Sequence, residues 1–279
     1  MIVGNLKEKL RKCVRANGEE PSAAKSKGKI VEKLQEWNRC FISTITRLHE
    51  QSLELLNSYF DEEITGENAE KIISNTVFTD NIRLKQVKQY GSMQKITDEM
   101  MKNMINIFRR DNDLICDSHR NRNESGDHYV SRKGSIFLYK CIGDTLIIQG
   151  NTSKVYLVED FGTHTVLFLI DFDEKKIFFL DPKLDRDNIS EEYNTYLANI
   201  KQQINSATLR SSFDSSAFKV EIYPDQYFKF DESDLDCQIQ VLTMIYFLER
   251  EVPIWYNDSI ISAMKYNFCS WLLTGMLPF

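Results

Sequence analysis

The hydrophobic residues follow a helical period in the first third of the chain. Between Ile30 and Leu56, apolar side chains recur at helical spacing, which predicts one long amphipathic helix. Residues 81–112 repeat this pattern with a methionine-rich apolar face, so we expect helix there as well. The Gly, Pro and Ser residues within 17–28 predict a linker before the long helix.

After Gly134 the pattern changes to short runs of β-branched and aromatic residues separated by turn residues. These runs predict strands over residues 136–139, 146–148, 155–158, 164–170, 175–180 and 218–223. Helical patterns return at 190–207, 237–250 and 258–273. The fold class that follows is α+β, with a central mixed β-sheet flanked by helices. We expect two regions, an N-terminal helical extension over residues 1–80 and a main domain over residues 81–279.

Composition and charge exclude several classes of protein. With 42% hydrophobic residues among 279, the chain can bury a core and is not a disordered polymer. Its net charge of -6 argues against a protein that binds nucleic acid, which usually carries a basic surface. No apolar run approaches the ~20 residues of a membrane helix, and the start lacks the apolar segment of a signal peptide. We therefore expect no membrane partner.

The cysteines and histidines bear on the compartment and on cofactors. Six cysteines without a CxxC pair predict reduced thiols, and hence a cytoplasmic or nuclear protein. His49, His119 and His128 lack the spacing of zinc ligands, and the sequence has no Gly-rich phosphate-binding loop. We expect neither a metal ion nor a cofactor.

The N-terminal helices form a net basic arm of the chain. Residues 1–60 carry 11 Lys and Arg against 7 Asp and Glu. Two interpretations stay open: the helices pack on the main domain with a solvated basic face, or they dock a partner protein.

The segment from Gly162 to Asp181 predicts a β-hairpin with polar residues at its open end. If residues 171–174 form the loop, His164 lies directly across from Asp181, with Cβ atoms about 5 Å apart. At that distance the carboxylate accepts a hydrogen bond from the imidazole and fixes its tautomer. Because the residues between are apolar on both faces, we expect the hairpin inside the sheet.

Cys237 stands where an acidic run ends and an apolar helix is predicted to begin. Unpaired N–H groups and the positive end of the helix dipole favour a thiolate there. A nearby imidazole would complete the activation of this nucleophile. The alternative is a buried structural cysteine, which is what we expect of Cys141 and Cys269.

His164, Asp181 and the Asp236-Cys237 step resemble, in order and position, the cysteine peptidase clan of the SUMO/ubiquitin-like-protein proteases and the adenovirus protease. The resemblance covers about residues 81–255. It implies a papain-like fold with the circularly permuted order His-Asp-Cys, and a thiol protease or isopeptidase. Its catalytic residues would be His164, Asp181 and Cys237, acting through an acyl-thioester without a cofactor.

The sequence departs from the pattern of this clan at three positions. Thr165 stands where the clan usually has Trp, Gln238 where it has Gly, and Asp231 where it has the Gln that donates to the oxyanion. A carboxylate cannot donate that hydrogen bond, and losing an oxyanion donor typically costs ~10²–10³ in rate. The alternative donors are Gln226, Gln238 and the backbone N–H of Cys237. The predicted oxyanion site still includes the position of Asp231.

The resemblance also suggests what the protein acts on. It implies a protein substrate, either a ubiquitin-like modifier with a Gly-Gly tail or a viral or host protein. In the second case the chain is a viral protease or an effector that acts in the host cytosol. Acidic residues dominate 221–236, which predicts a basic substrate tail or a solvated loop.

Two other functions stay open. One is an acetyltransferase effector of the same clan, for which Arg120, Arg122, Arg132 and Lys133 are the basic cluster near the sheet. The other is a catalytically inactive binding module with the same fold.

Overall fold

The computed structural model describes most of the predicted core of this chain. It covers residues 21–74, 82–91, 96, 98–112, 135–141, 153–160, 164–183, 194–195, 198, 201–202, 215–223, 226–228, 237–250, 252 and 254–275. The α-helices with defined bounds in these ranges are α1 (Pro21–Asp61), α2 (Leu84–Gly91), α3 (Asp98–Asn112), α4 (Cys237–Glu249) and α5 (Asp258–Thr274), and a 3-10 helix spans Ser215–Ala217. The strands are β1 (Ile72–Ser74), β2 (Ile82–Arg83), β3 (Ser135–Cys141), β4 (Lys154–Asp160), β5 (Thr165–Asp171), β6 (Lys176–Leu180), β7 (Lys219–Ile222), β8 (Gln226–Phe228) and β9 (Ile254–Tyr256).

A five-stranded mixed sheet is the centre of the fold. Its strand order is β3-β4-β5-β6-β7, with antiparallel pairs β4-β5 and β5-β6 in the middle and parallel pairs at both edges. Every residue of β5 is buried, as expected for a strand with apolar residues on both faces. The predictions of an α+β fold and of an inner β5-β6 hairpin are therefore confirmed.

The hairpin has a different register from the one that the sequence predicts. Leu167 pairs with Leu180, and Asp171 pairs with Lys176, so the turn is 172–175 rather than 171–174. The cause is local: Oδ1 of Asp171 accepts the backbone N–H groups of residues 173 and 174, and Lys175 adopts a left-handed φ of 52°. The predicted pairing of His164 directly opposite Asp181 is therefore wrong.

This change of register leaves the side chains on the expected faces. The shift is two residues, an even number, so no side chain changes face. Continuing the register brings Asp181 level with Val166, and His164 becomes its diagonal neighbour. Long and aromatic side chains still meet across such a diagonal.

Helix α4 is buried between the sheet and the other helices. It packs on β5 and on α5, and of its 13 residues only Leu248 is not buried. Such a helix is apolar on all sides, which explains why the sequence showed a continuous hydrophobic run rather than a stripe. Helix α5 is held at its ends by an Asn257 side chain that accepts the N–H of Ile260, and by Gly275 at φ 66°.

The second half of α1 packs on the same core. Ile45 and Leu56 are fully buried, and the ring of Phe41 lies 5.0 Å from that of Phe247 in α4. Oγ of Ser52 donates a hydrogen bond of 2.9 Å to Oδ1 of Asn267 in α5. The boundary near residue 80 and the docking role of the N-terminal helices stay predictions.

Several local predictions fail. Helix α1 begins at Pro21, so the expected linker is wrong for residues 21–28; proline is favourable in the first turn of a helix. The helical segment predicted over 81–112 contains β2 and two separate helices, α2 and α3. The three-residue strands β8 and β9 were not predicted, because runs this short carry no clear period. The predicted strand 146–148 lies outside the described residues.

No helix in the described ranges is both long and apolar enough to cross a bilayer.

Candidate active site

His164 and Asp181 stand next to each other at the open end of the β5-β6 hairpin. His164 immediately precedes β5, and Asp181 immediately follows β6. Nε2 of His164 lies 2.7 Å from Oδ1 of Asp181, which is the distance of a strong, charge-assisted hydrogen bond. The sequence predicted that these two residues meet, although by a direct rather than a diagonal pairing.

The carboxyl group of Asp181 is completely buried, and the backbone holds it in place. Its Oδ1 also accepts the backbone N–H of Lys183 at 2.7 Å. A buried carboxylate is costly unless it is paired and hydrogen-bonded. Here a ring nitrogen and a backbone N–H both bond to this carboxylate. These two bonds fix the orientation of the carboxylate toward His164.

Cys237 is the first residue of α4, and it lies beside His164. The side chain is 6% exposed, and the imidazole lowers the pKa of its thiol. Because Nε2 is engaged by Asp181, Nδ1 is the ring nitrogen left for the sulfur; within the described ranges it has no hydrogen-bond partner. The helix N-terminus adds a favourable potential for a negative sulfur.

Thr165 completes the surroundings of the sulfur. Both its backbone N–H and its side-chain hydroxyl lower the pKa of Cys237. The sequence singled out Thr165 only as a departure from the clan. One signal was available, because it is the single polar residue at the start of the apolar run Val166–Ile170.

Two opposing effects set the pKa of each group. Burial raises the pKa of Cys237, but hydrogen bonds from His164 and Thr165, with the charge of the imidazolium, outweigh it and lower the pKa below its ordinary value. Burial likewise lowers the pKa of His164, yet Asp181 and Cys237 together raise it to about 9. At neutral pH these directions favour a thiolate beside an imidazolium.

The geometry is suited to nucleophilic catalysis by sulfur. The thiolate is the reactive form of cysteine, and the imidazolium next to it holds a proton for a leaving group. The carboxylate of Asp181 keeps the ring in one orientation. A thiol, an imidazole and a carboxylate in this order provide the parts for acyl transfer.

The structure describes the predicted oxyanion donors only in part. Gln238, the second residue of α4, is 2% exposed. Gln226 begins β8, and only its backbone is described. Asp231 and Asp236 lie outside the described residues, as do the four basic residues considered for an acetyltransferase. The roles of Gln226, Asp231 and Gln238 stay predictions.

In the part of the chain that the structure describes, no three His, Cys, Asp or Glu side chains are grouped so as to hold a metal ion.

Solved structures with a similar fold include three SUMO protease structures. Ulp1 with its catalytic cysteine oxidized to a sulfinic acid has a TM-score of 0.55 and 11% identity, covering 81% of this chain and 94% of that chain. The C-terminal Ulp1 protease domain in complex with Smt3, the yeast ortholog of SUMO, has a TM-score of 0.55 and 11% identity, covering 81% and 95%. The Ulp1-like SUMO protease catalytic domain of Chaetomium thermophilum has a TM-score of 0.57 and 10% identity, covering 82% and 91%.

Sequence comparison gives no such similarity: no protein-family model and no curated protein matches the chain. At these identities the structural likeness concerns the fold, and it confirms the resemblance that the sequence predicted at that level. The circular permutation that the resemblance implied stays a prediction. The chain therefore has the Ulp1-like cysteine protease fold, in a form whose sequence has diverged far from these structures.

Proposed function

We propose that this chain is a thiol protease or isopeptidase that cleaves a peptide or isopeptide bond of a ubiquitin-like modifier. Cys237 is the nucleophile, His164 the general acid and base, and Asp181 the residue that orients the ring. The observation that carries the proposal is the 2.7 Å bond between His164 and Asp181, next to a cysteine at the start of a buried helix.

The proposed reaction follows from the charges of the site. The thiolate of Cys237 attacks the carbonyl carbon, and the bond to the leaving nitrogen breaks after His164 transfers its Nδ1 proton to that nitrogen. This step leaves an acyl-thioester and a neutral imidazole. His164 then removes a proton from water, which attacks the thioester. This step releases the carboxylic acid and restores the thiolate–imidazolium pair.

The proposed substrate and location rest on the comparisons and on the chemistry of the nucleophile. One similar structure holds the Ulp1 protease domain in complex with Smt3, which supports a ubiquitin-like partner. A thiolate nucleophile works only while it is reduced, so we propose that the protein acts in the cytoplasm or the nucleus.

A covalent probe tests the proposal directly. The purified full chain is mixed with SUMO and with ubiquitin, each bearing an electrophile at its C-terminus, and adducts are identified by mass spectrometry. We expect an adduct on Cys237 that is absent in Cys237→Ala. The matched control is Cys40→Ala, since Cys40 is an exposed cysteine on α1 and its loss leaves labelling unchanged.

Two outcomes would contradict the proposal in different ways. Binding of the modifier without an adduct would indicate the inactive binding module. Self-acetylation in acetyl-CoA, with no adduct to either probe, would indicate the acetyltransferase.

A further inference from the structure

Thr165 has a buried hydroxyl group in an unusual position. The residue is 0% exposed, and its Oγ1 has no hydrogen-bond partner among the residues that the structure describes. Buried polar groups in proteins are nearly always hydrogen-bonded, so this hydroxyl needs an explanation. An isosteric valine would fill the same space without that cost.

The group on which this hydroxyl acts is the thiol of Cys237. The backbone N–H and the side-chain hydroxyl of Thr165 both act on this thiol, and each lowers its pKa. Thr165 begins β5 and pairs with Asp160 of β4, so the sheet fixes its backbone on the side of the site. Two groups of one residue therefore favour the charged form of the same thiol.

We propose that Thr165 stabilises the reactive form of the nucleophile by donating its hydroxyl hydrogen bond to Sγ of Cys237. A thiolate can only accept, and a hydroxyl can donate one hydrogen bond, so the pairing has a single direction. Its catalytic meaning rests on the proposed function, whereas the interaction with the sulfur does not.

The donor adds to the effect of the imidazole rather than replacing it. In the described ranges, the titratable groups that face Cys237 are the ring of His164 and, behind it, the carboxyl of Asp181. Both stay in place when the hydroxyl is removed. A change in the titration of Cys237 after that removal would therefore come from Thr165.

The test compares Thr165→Val with Thr165→Ser in the full chain. The rate of Cys237 alkylation by iodoacetamide is measured against pH by peptide mass spectrometry, without any substrate. We expect valine to raise the midpoint of this titration by about one pH unit, so that the rate below the midpoint falls about tenfold. Serine keeps the hydroxyl and leaves the midpoint close to that of the unaltered chain.

An unchanged midpoint in Thr165→Val would overturn the inference, as would an equal shift in Thr165→Ser. Thr165→Ala is the second variant without a hydroxyl, and it replaces valine if the valine variant fails to fold. Circular dichroism establishes folding for each variant. A shifted midpoint in a chain that no ubiquitin-family probe labels would leave this inference standing while the proposed function fails.

Discussion

Cys237 and Cys269 are both buried cysteines on helices, and the fold gives them opposite chemistry. Cys237 begins α4, is 6% exposed and has a lowered pKa because of His164 and Thr165. Cys269 lies inside α5, is 0% exposed, and burial raises its pKa far above the ordinary value. Lys265, one turn earlier on α5, counteracts that rise only weakly.

The difference teaches that burial alone does not decide whether a thiol is inert. Burial acts in the same direction on both groups, since it always disfavours the charged form. What separates them is the number of donors around the sulfur and the position along the helix. Cys237 begins a helix, and His164 and Thr165 lower its pKa, whereas apolar neighbours such as Phe268 and Leu272 surround the helix turn of Cys269.

Removing the carboxylate behind the imidazole should have the largest effect on the activity that distinguishes Cys237 from Cys269. In Asp181→Ala the ring loses the acceptor that orients it and stabilises its charge, so we expect kcat/KM to fall ~10²–10⁴-fold. The measurement is steady-state cleavage of a modifier fused to a reporter. Asp171→Ala is the matched control, because Asp171 is the carboxylate at the other end of the same hairpin, where it accepts two backbone N–H groups of the turn.

If Asp171→Ala reduced activity as much as Asp181→Ala, the loss would come from a damaged hairpin rather than from the site. Thermal unfolding of both variants separates the two explanations. We expect the control to lose stability while its kcat/KM stays within about twofold.

The pH dependence of activity gives a second test of the difference between Cys237 and Cys269. The active form needs a thiolate and an imidazolium together, and the pKa of His164 is raised to about 9. We expect activity to decline about tenfold per pH unit above about 9, because the imidazolium loses the proton needed by the leaving group. On the acid side activity declines as the thiolate is protonated, below the ordinary pKa of a cysteine. The measurement is kcat/KM from pH 5 to 10, and an upper limb near the ordinary histidine value of 6.5 would contradict it.

The sequence predicted the parts of this site better than their arrangement. The residues around Cys237 can be predicted from their order, their spacing and a helix start, which are local properties of the chain. The register of the hairpin depended on the Asx-type turn at Asp171 and the left-handed Lys175, and neither has a unique sequence signal. For Thr165 the sequence offers one signal, a polar residue at the start of an apolar run, but its effect on Cys237 arises only after β5 and α4 have packed together.

Of the predicted variants, Cys269→Ala should have the smallest effect, and it is the control for a buried but inert thiol. Cys269→Ala removes one buried sulfur from packing among Phe268, Trp271 and Leu272, which we expect to cost about 1 kcal/mol of the free energy of unfolding. The corresponding decrease in melting temperature is about 2–4 °C for a chain of this size. Activity and probe labelling should not change, because the sulfur is protonated and does not reach the site. A loss of activity at unchanged stability would mean that the two cysteines are coupled, and the contrast between a reactive and an inert buried thiol would no longer hold.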